Sequence, residues 1–134
     1  SPGFDLPVGC FMRSPNGTCP EYHTSADDPG LVRPSALAES YAVLSAVLDC
    51  LDANVTYARV DGRGEPQLGR RGLYRAIGGD TSDASQPALM WVLNLADGRH
   101  SLLDMAERSG LPFRQLAAAA RIAGDHGLIV EAAP

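Results

Sequence analysis

His23, His100 and His126 are the only imidazoles in a chain of 134 residues. His23 lies in the stretch Pro20-Glu21-Tyr22-His23-Thr24-Ser25-Ala26-Asp27-Asp28. A neutral imidazole ligates zinc through one ring nitrogen, and nearby carboxylates can orient it. The same residues also describe an ordinary loop histidine, so His23 alone leaves both readings open. Asp27 and Asp28 could orient His23 or a metal-bound amino group, but Asp before Pro29-Gly30 is equally a turn signal. Tyr22 could line a substrate pocket or simply pack. Cys10 and Cys19 flank the approach to His23. A thiol can bind metal, yet small buried hydrophobe is the better reading of both.

The second group with chemical capacity is cationic. All eleven basic residues are Arg, and the formal net charge is −5. Residues 59–75 carry Arg59, Arg63, Arg70, Arg71 and Arg75 against Asp61 and Glu65, a local net of +3. Arg presents a planar fork that matches carboxylate or phosphate. The cluster could bind such a group, with Arg70 and Arg71 as the best substrate-binding candidates. Docking between parts of the chain or structural ion pairing is the favoured reading. One short basic stretch in an acidic chain does not supply the bulk charge of nucleic-acid binding.

These groups need elements to hold them. Residues 1–33 contain five of the ten Pro and four of the fourteen Gly, which predicts loop with one extended piece at 6–12. Residues 34–53 read as a helix, with Pro34 in its first turn and Leu37, Tyr41, Leu44, Leu48 and Leu51 spaced by three and four. Val43, Val47 and Cys50 widen that stripe, so the helix calls for a substantial partner surface. Residues 54–79 mix an extended run at 55–60 with Gly-rich turns. The small polar stretch that follows reads as a linker over 81–86.

Residues 87–134 read as a separate unit. Pro87 opens a helix carrying Leu89, Val92, Leu93 and Ala96 on one face. Ser101 caps a second, with Asp104 placed for a capping box, and Leu102, Leu103 and Ala106 face inward. Pro112 opens a third, with Leu116, Ala119, Ala120 and Ala123 inward. A strand at 128–130 closes the unit. Three short helices and a strand predict a winged helix-turn-helix. Its third helix offers Arg114, Gln115 and Arg121 opposed by Asp125, in a unit of net charge −1. Protein contact is therefore expected ahead of nucleic acid, and Trp91 and Phe113 are expected in the core.

His-Thr-x-x-Asp after a Pro/Gly-rich approach resembles the last metal-ligand motif of the co-catalytic zinc aminopeptidases. The match is closer to a bacterial subgroup, aminopeptidase-like proteins ending in a winged helix. Three stretches carry it: Ser1-Pro-Gly-Phe-Asp-Leu-Pro-Val-Gly9 running on to Glu21–Asp28; Gly64-Glu-Pro-Gln-Leu-Gly-Arg-Arg-Gly-Leu-Tyr74; and Leu93-Asn-Leu-Ala-Asp-Gly-Arg-His-Ser-Leu-Leu-Asp-Met-Ala106. The resemblance implies a site with two zinc ions, hydrolysing an amide or peptide bond beside a free amino group. Within that motif His23 matches a zinc ligand and Asp27 its Asp. The other ligands and the general base fall before Ser1, so no catalytic residue is assigned in this chain. Zinc is not expected to be retained by the chain alone.

The expected fold class is α+β. Residues 1–80 would be the C-terminal part of an α/β aminopeptidase-like domain, 81–86 a linker and 87–134 a small winged helix. The expected partners are the upstream part of the same catalytic domain and a small peptide or aminoacyl-amide substrate. The alternative is a non-enzymatic module that uses the winged helix for protein contacts. There is no apolar run of membrane length and no signal-peptide pattern. Three irregularly spaced Cys fit a reducing compartment, and a cytoplasmic location is expected.

Overall fold

The structure is a computed structural model that describes residues 3–4, 8–73 and 85–132. The chain divides into two compact units, residues 1–45 and 46–134.

In the first unit no described residue is buried, and local bonds hold the backbone. Thr18 donates from both its amide and its hydroxyl to the Pro15 carbonyl, and Thr24 does the same to Glu21. The Asp28 carboxylate accepts from the Gly30 amide at 2.7 Å and caps a 3-10 turn, Pro29–Leu31. A Cβ at Gly30 would meet that carboxylate at 2.9 Å, so a larger residue there would shift the Asp28 side chain. Arg13 reaches the start of helix α1 (Pro34–Asp52), pairing with Glu39 at 2.7 Å and donating to the Ala36 carbonyl. The extended piece expected at 6–12 falls partly outside the described residues, and residues 8–12 form no strand. Cys10 is exposed and Cys19 and Cys50 are half-buried, not fully buried as small hydrophobes would be; the first two sit in segments with no core around them.

Helix α1 forms where the apolar spacing and Pro34 predict it. It continues past residue 45, and none of its residues is buried. Leu37, Tyr41, Leu44, Leu48 and Leu51 all remain exposed.

The second unit contains the core. After α1 come β1 (Thr56–Arg59), α2 (Gln86–Leu95), β2 (Asp97–Ser101), α3 (Leu102–Ser109), α4 (Phe113–Asp125) and β3 (Ile129–Glu131). The sheet order is β2-β1-β3, antiparallel throughout. Tyr57 faces Glu131, Ala58 faces Val130 and Arg59 faces Ile129; on the other side Thr56 faces Ser101 across an irregular register. The Arg59 amide donates to Ala96, Val60 to Leu128, Leu102 to Val55 and Ala132 to Thr56, which extends the ladders beyond the strands. The central strand therefore comes from the run at 55–60, before the linker. A unit built only from 87–134 would lack it. Of that linker, residues 81–84 lie outside the described residues. Ser85 caps α2 by accepting from the Ala88 amide, and Gln86 is the helix's first residue.

Each helix has a local reason to start and stop. Ser101 and Asp104 form both bonds of a capping box on α3, and Gly110 in the left-handed region ends it. The inward face of α3 is Leu102, Met105 and Ala106. Leu103, expected inward, is 44% exposed. One residue turns the helix by roughly 100°, so 102, 105 and 106 share a face that 103 leaves. On α4, Leu116, Ala119, Ala120 and Ala123 are buried, and the small side chains admit α2 and α3 closely. Leu89, Val92 and Leu93 of α2, Ile129 of β3, and Leu68 and Leu73 complete the core, with Trp91 and Phe113 partly buried against it.

The two apolar helices predict opposite mutational responses. Leu116 is 0% exposed and Leu48 64%. Leu116→Ala should cost about 2–5 kcal/mol in urea denaturation of this chain. Leu48→Ala should stay within about 0.5 kcal/mol.

Candidate functional site

In the first unit the turns at 19–27 carry the candidate metal-site residues. The Tyr22 amide donates to Cys19 and the Thr24 amide to Glu21, and between them His23 takes φ 62°. That left-handed conformation is uncommon outside glycine, though His is among the residues that adopt it. It sets the His23 ring against Tyr22, with centroids 3.9 Å apart and planes tilted by 42°. Both side chains are exposed. The Asp27 amide closes a turn onto the Thr24 carbonyl at 3.2 Å. Tyr22 and His23 are thus in contact, and Asp27 lies one turn further on. Asp28 serves the turn, as Asp before Pro-Gly does.

A structural zinc takes about four ligands and a catalytic one about three from protein. Among the described residues no group of three His, Cys, Asp or Glu converges. The described residues of this chain therefore do not by themselves fit a zinc ion.

Arg70 and Arg71 lie in the second unit, in a turn where the Arg71 amide donates to the Leu68 carbonyl. Arg71 Nη1 donates to the His126 carbonyl at 2.8 Å, at the C-terminus of α4. A cation suits the unpaired carbonyls of a helix end. This bond joins the Arg-rich stretch to the end of α4. Arg70 is exposed, with no bond recorded among the described residues. Arg63 pairs with Asp61 at 3.0 Å, and those bonds hold the Asp61 carboxyl below its usual range.

One polar cluster lies on residues to which the sequence assigned no contact. His100 Nδ1 lies 3.0 Å from Asp97 Oδ2, and His100 Nε2 lies 2.7 Å from Arg108 Nη1. Arg can only donate, so the contact with Arg108 is a hydrogen bond when Nε2 accepts and Nδ1–H donates to Asp97. Asp97 also accepts from the Arg99 and His100 amides across Gly98. The bond from His100, then that from the Arg99 amide, brings the Asp97 carboxyl down to about 2. Asp-Gly-x-His is a readable turn signal that could have located the pair. The cluster ties β2 to α3.

The helix-turn-helix geometry has its counterpart among known families. Residues 55–131 match a family described as winged helix-turn-helix. The chain belongs to that family. Its winged helix begins with β1, as the sheet pairing requires. Residues 1–54 match a second family, described as a domain of unknown function. A Clostridium acetobutylicum protein, named as a candidate polysaccharide biosynthesis protein with an aminopeptidase-like domain, is 46% identical over 121 residues. That alignment takes in 90% of this chain and 28% of the relative. A crystal structure of a candidate peptidase from Clostridium acetobutylicum superposes with TM-score 0.69 at 37% identity, covering 82% of this chain and 23% of that one. The chain thus spans under a third of the proteins it resembles. Among the described residues no helix is long and apolar enough to cross a membrane.

Asp97 gives the winged helix a pH signature. Its carboxyl is lower in the folded chain than the ordinary 3.8. The stabilisation it brings is present above about pH 4 and is lost as pH falls through about 2. The stability advantage of the native chain over Asp97→Asn should therefore shrink over that window in acid titrations followed by circular dichroism.

Proposed function

We propose that this chain is the C-terminal segment of a zinc-dependent aminopeptidase-like hydrolase. The observation that carries the reading is 46% identity over 90% of the chain to a protein named for an aminopeptidase-like domain. In this reading His23 supplies one zinc ligand, and the remaining ligands and the general base belong to the preceding part of the protein. Tyr22, stacked on His23, would border the site, with Asp27 beside it. Hydrolysis would fall on an amide or peptide bond next to a free amino group. The chain alone would be inactive, because one imidazole cannot assemble a two-metal site. Arg70 and Arg71 remain the substrate-binding candidates of this reading. The exposed apolar stripe of α1 also supports the reading, as a helix with no buried residue has a face available to a larger domain. A cytoplasmic location accompanies this proposal.

The test compares the 134-residue chain with the longer protein. Zinc content and hydrolysis of an aminoacyl amide should appear only in the longer protein. His23→Ala there should lower zinc content and activity by more than the roughly 10–100-fold typical of outer-shell changes. Stoichiometric zinc retained by the 134-residue chain would overturn the reading. So would a longer protein whose hydrolysis is indifferent to His23→Ala.

A further inference from the structure

A hollow of about 200 Å³ opens beside the end of β1 and is lined by Arg59, Arg63 and Arg71 together with Asp61, Glu65 and Leu93. Two carboxylates, Asp61 and Glu65, share the hollow with these three guanidinium groups, so its wall keeps a net charge of +1, and Asp61 feels Arg59 as well as Arg63. Arg63 is answered by Asp61. Arg59 and Arg71 are held differently, by the neutral carbonyls of Gly64 and His126. A carbonyl fixes a guanidinium without cancelling its charge, and each Arg has five N–H donors to distribute. A second hollow of about 390 Å³ shares Arg59, Gly64, Glu65, Pro66 and Leu93 with the first and adds Met90 and Asn94.

We propose that this paired hollow is an anion-binding site of the winged-helix unit. It takes the carboxylate or phosphate end of a small molecule whose body lies along Leu93 and Met90. The first hollow is smaller than the roughly 300–1,000 Å³ of sites that enclose a drug-sized ligand, which suits an acidic end group. Arg59 and Arg71 supply charge-assisted bonds, and Arg63, while paired with Asp61, keeps further N–H donors for a third. Glu65 in the same wall opposes a long polyanion, and the chain's net charge of −5 acts in the same direction. A single acidic group is therefore favoured over nucleic acid. None of this depends on the peptidase reading, because every residue involved lies in the second unit.

The experiment is a titration of the full chain with inorganic phosphate and, separately, with acetate. Ionic strength is held constant with chloride, and backbone amide shifts are followed by NMR. Saturable shifts at residues 59–64 and 126–128 are expected, and the tighter anion identifies tetrahedral or planar recognition. Arg59→Gln and Arg71→Gln should weaken binding about tenfold or more, and Arg121→Gln, outside the hollow, less than about twofold. Arg71→Gln also removes the bond to His126 and could unfold the unit. Arg63→Gln leaves both carbonyl anchors in place and should still weaken binding several-fold. No saturable shift with either anion would overturn the proposal. Equal weakening by Arg121→Gln and Arg59→Gln would overturn it too, by showing bulk charge screening.

Discussion

Among the described residues strands β2 and β3 do not pair with each other; each pairs with β1. That single constraint organises the second unit. Four residues, Thr56–Arg59, supply the inner edge to both neighbours, and the amides of Arg59, Val60, Leu102 and Ala132 extend the ladder past the strands. With β1 in place, β2 can hand the chain directly to α3 through the Ser101 cap, and β3 can return under the end of α4. Leu128 and Ile129 then bring that end of the sheet into the core with α2, α3 and α4. Arg71 and the His126 carbonyl make a second tie between the early and late halves of this unit. Neither tie can form from the helices alone.

The two units solve the burial problem differently. The second has a core of leucine, isoleucine, methionine, valine and alanine in which no buried polar side chain is found among the described residues. The first has no buried residue among those described, and it relies on Thr, Asp and Arg side chains bonded to nearby backbone. Such bonds are modest individually, about 1 kcal/mol net each. They shape turns well but do not replace a core. Helix α1 shows the same contrast within one element: its sequence has the apolar spacing of a packed helix, and its surface remains exposed.

Local signals in the sequence were legible, and distant partners were not. The Ser101–Asp104 box, the Pro34 start and the inward alanines of α4 depend on neighbours within one or two turns, and each appears where the spacing puts it. The run at 55–60 reads as extended, but nothing in it announces partners as distant as Ser101 and Glu131. That is why it looked like part of the preceding domain and not the centre of the sheet. The bond from Arg71 to His126 spans 55 residues and is equally invisible. At His23 the residue type was readable, while its left-handed backbone and its stacking on Tyr22 required the structure. The helix-turn-helix could be named from the sequence because its signals are local. A two-metal centre draws ligands from many points of a chain, so one matching motif carries little of it.

The placement of β1 also bears on how the chain reaches this state during synthesis. A ribosome makes the N-terminal part first, so β1 emerges before either strand that satisfies it. Its ladder with β3 cannot close until residues 129–131 have been made. Such long-range pairing slows folding relative to helical contacts, because the loop must be closed before the contact rewards it. Helices α2 and α3 can associate in the meantime through contacts close in sequence. Once residues 97–101 have been made β2 can cover one edge of β1, but the other stays open until β3 follows, the kind of surface that pairs with the wrong chain. Its short length and its Arg59 end limit that hazard, a protective role separate from anything these residues do once folded.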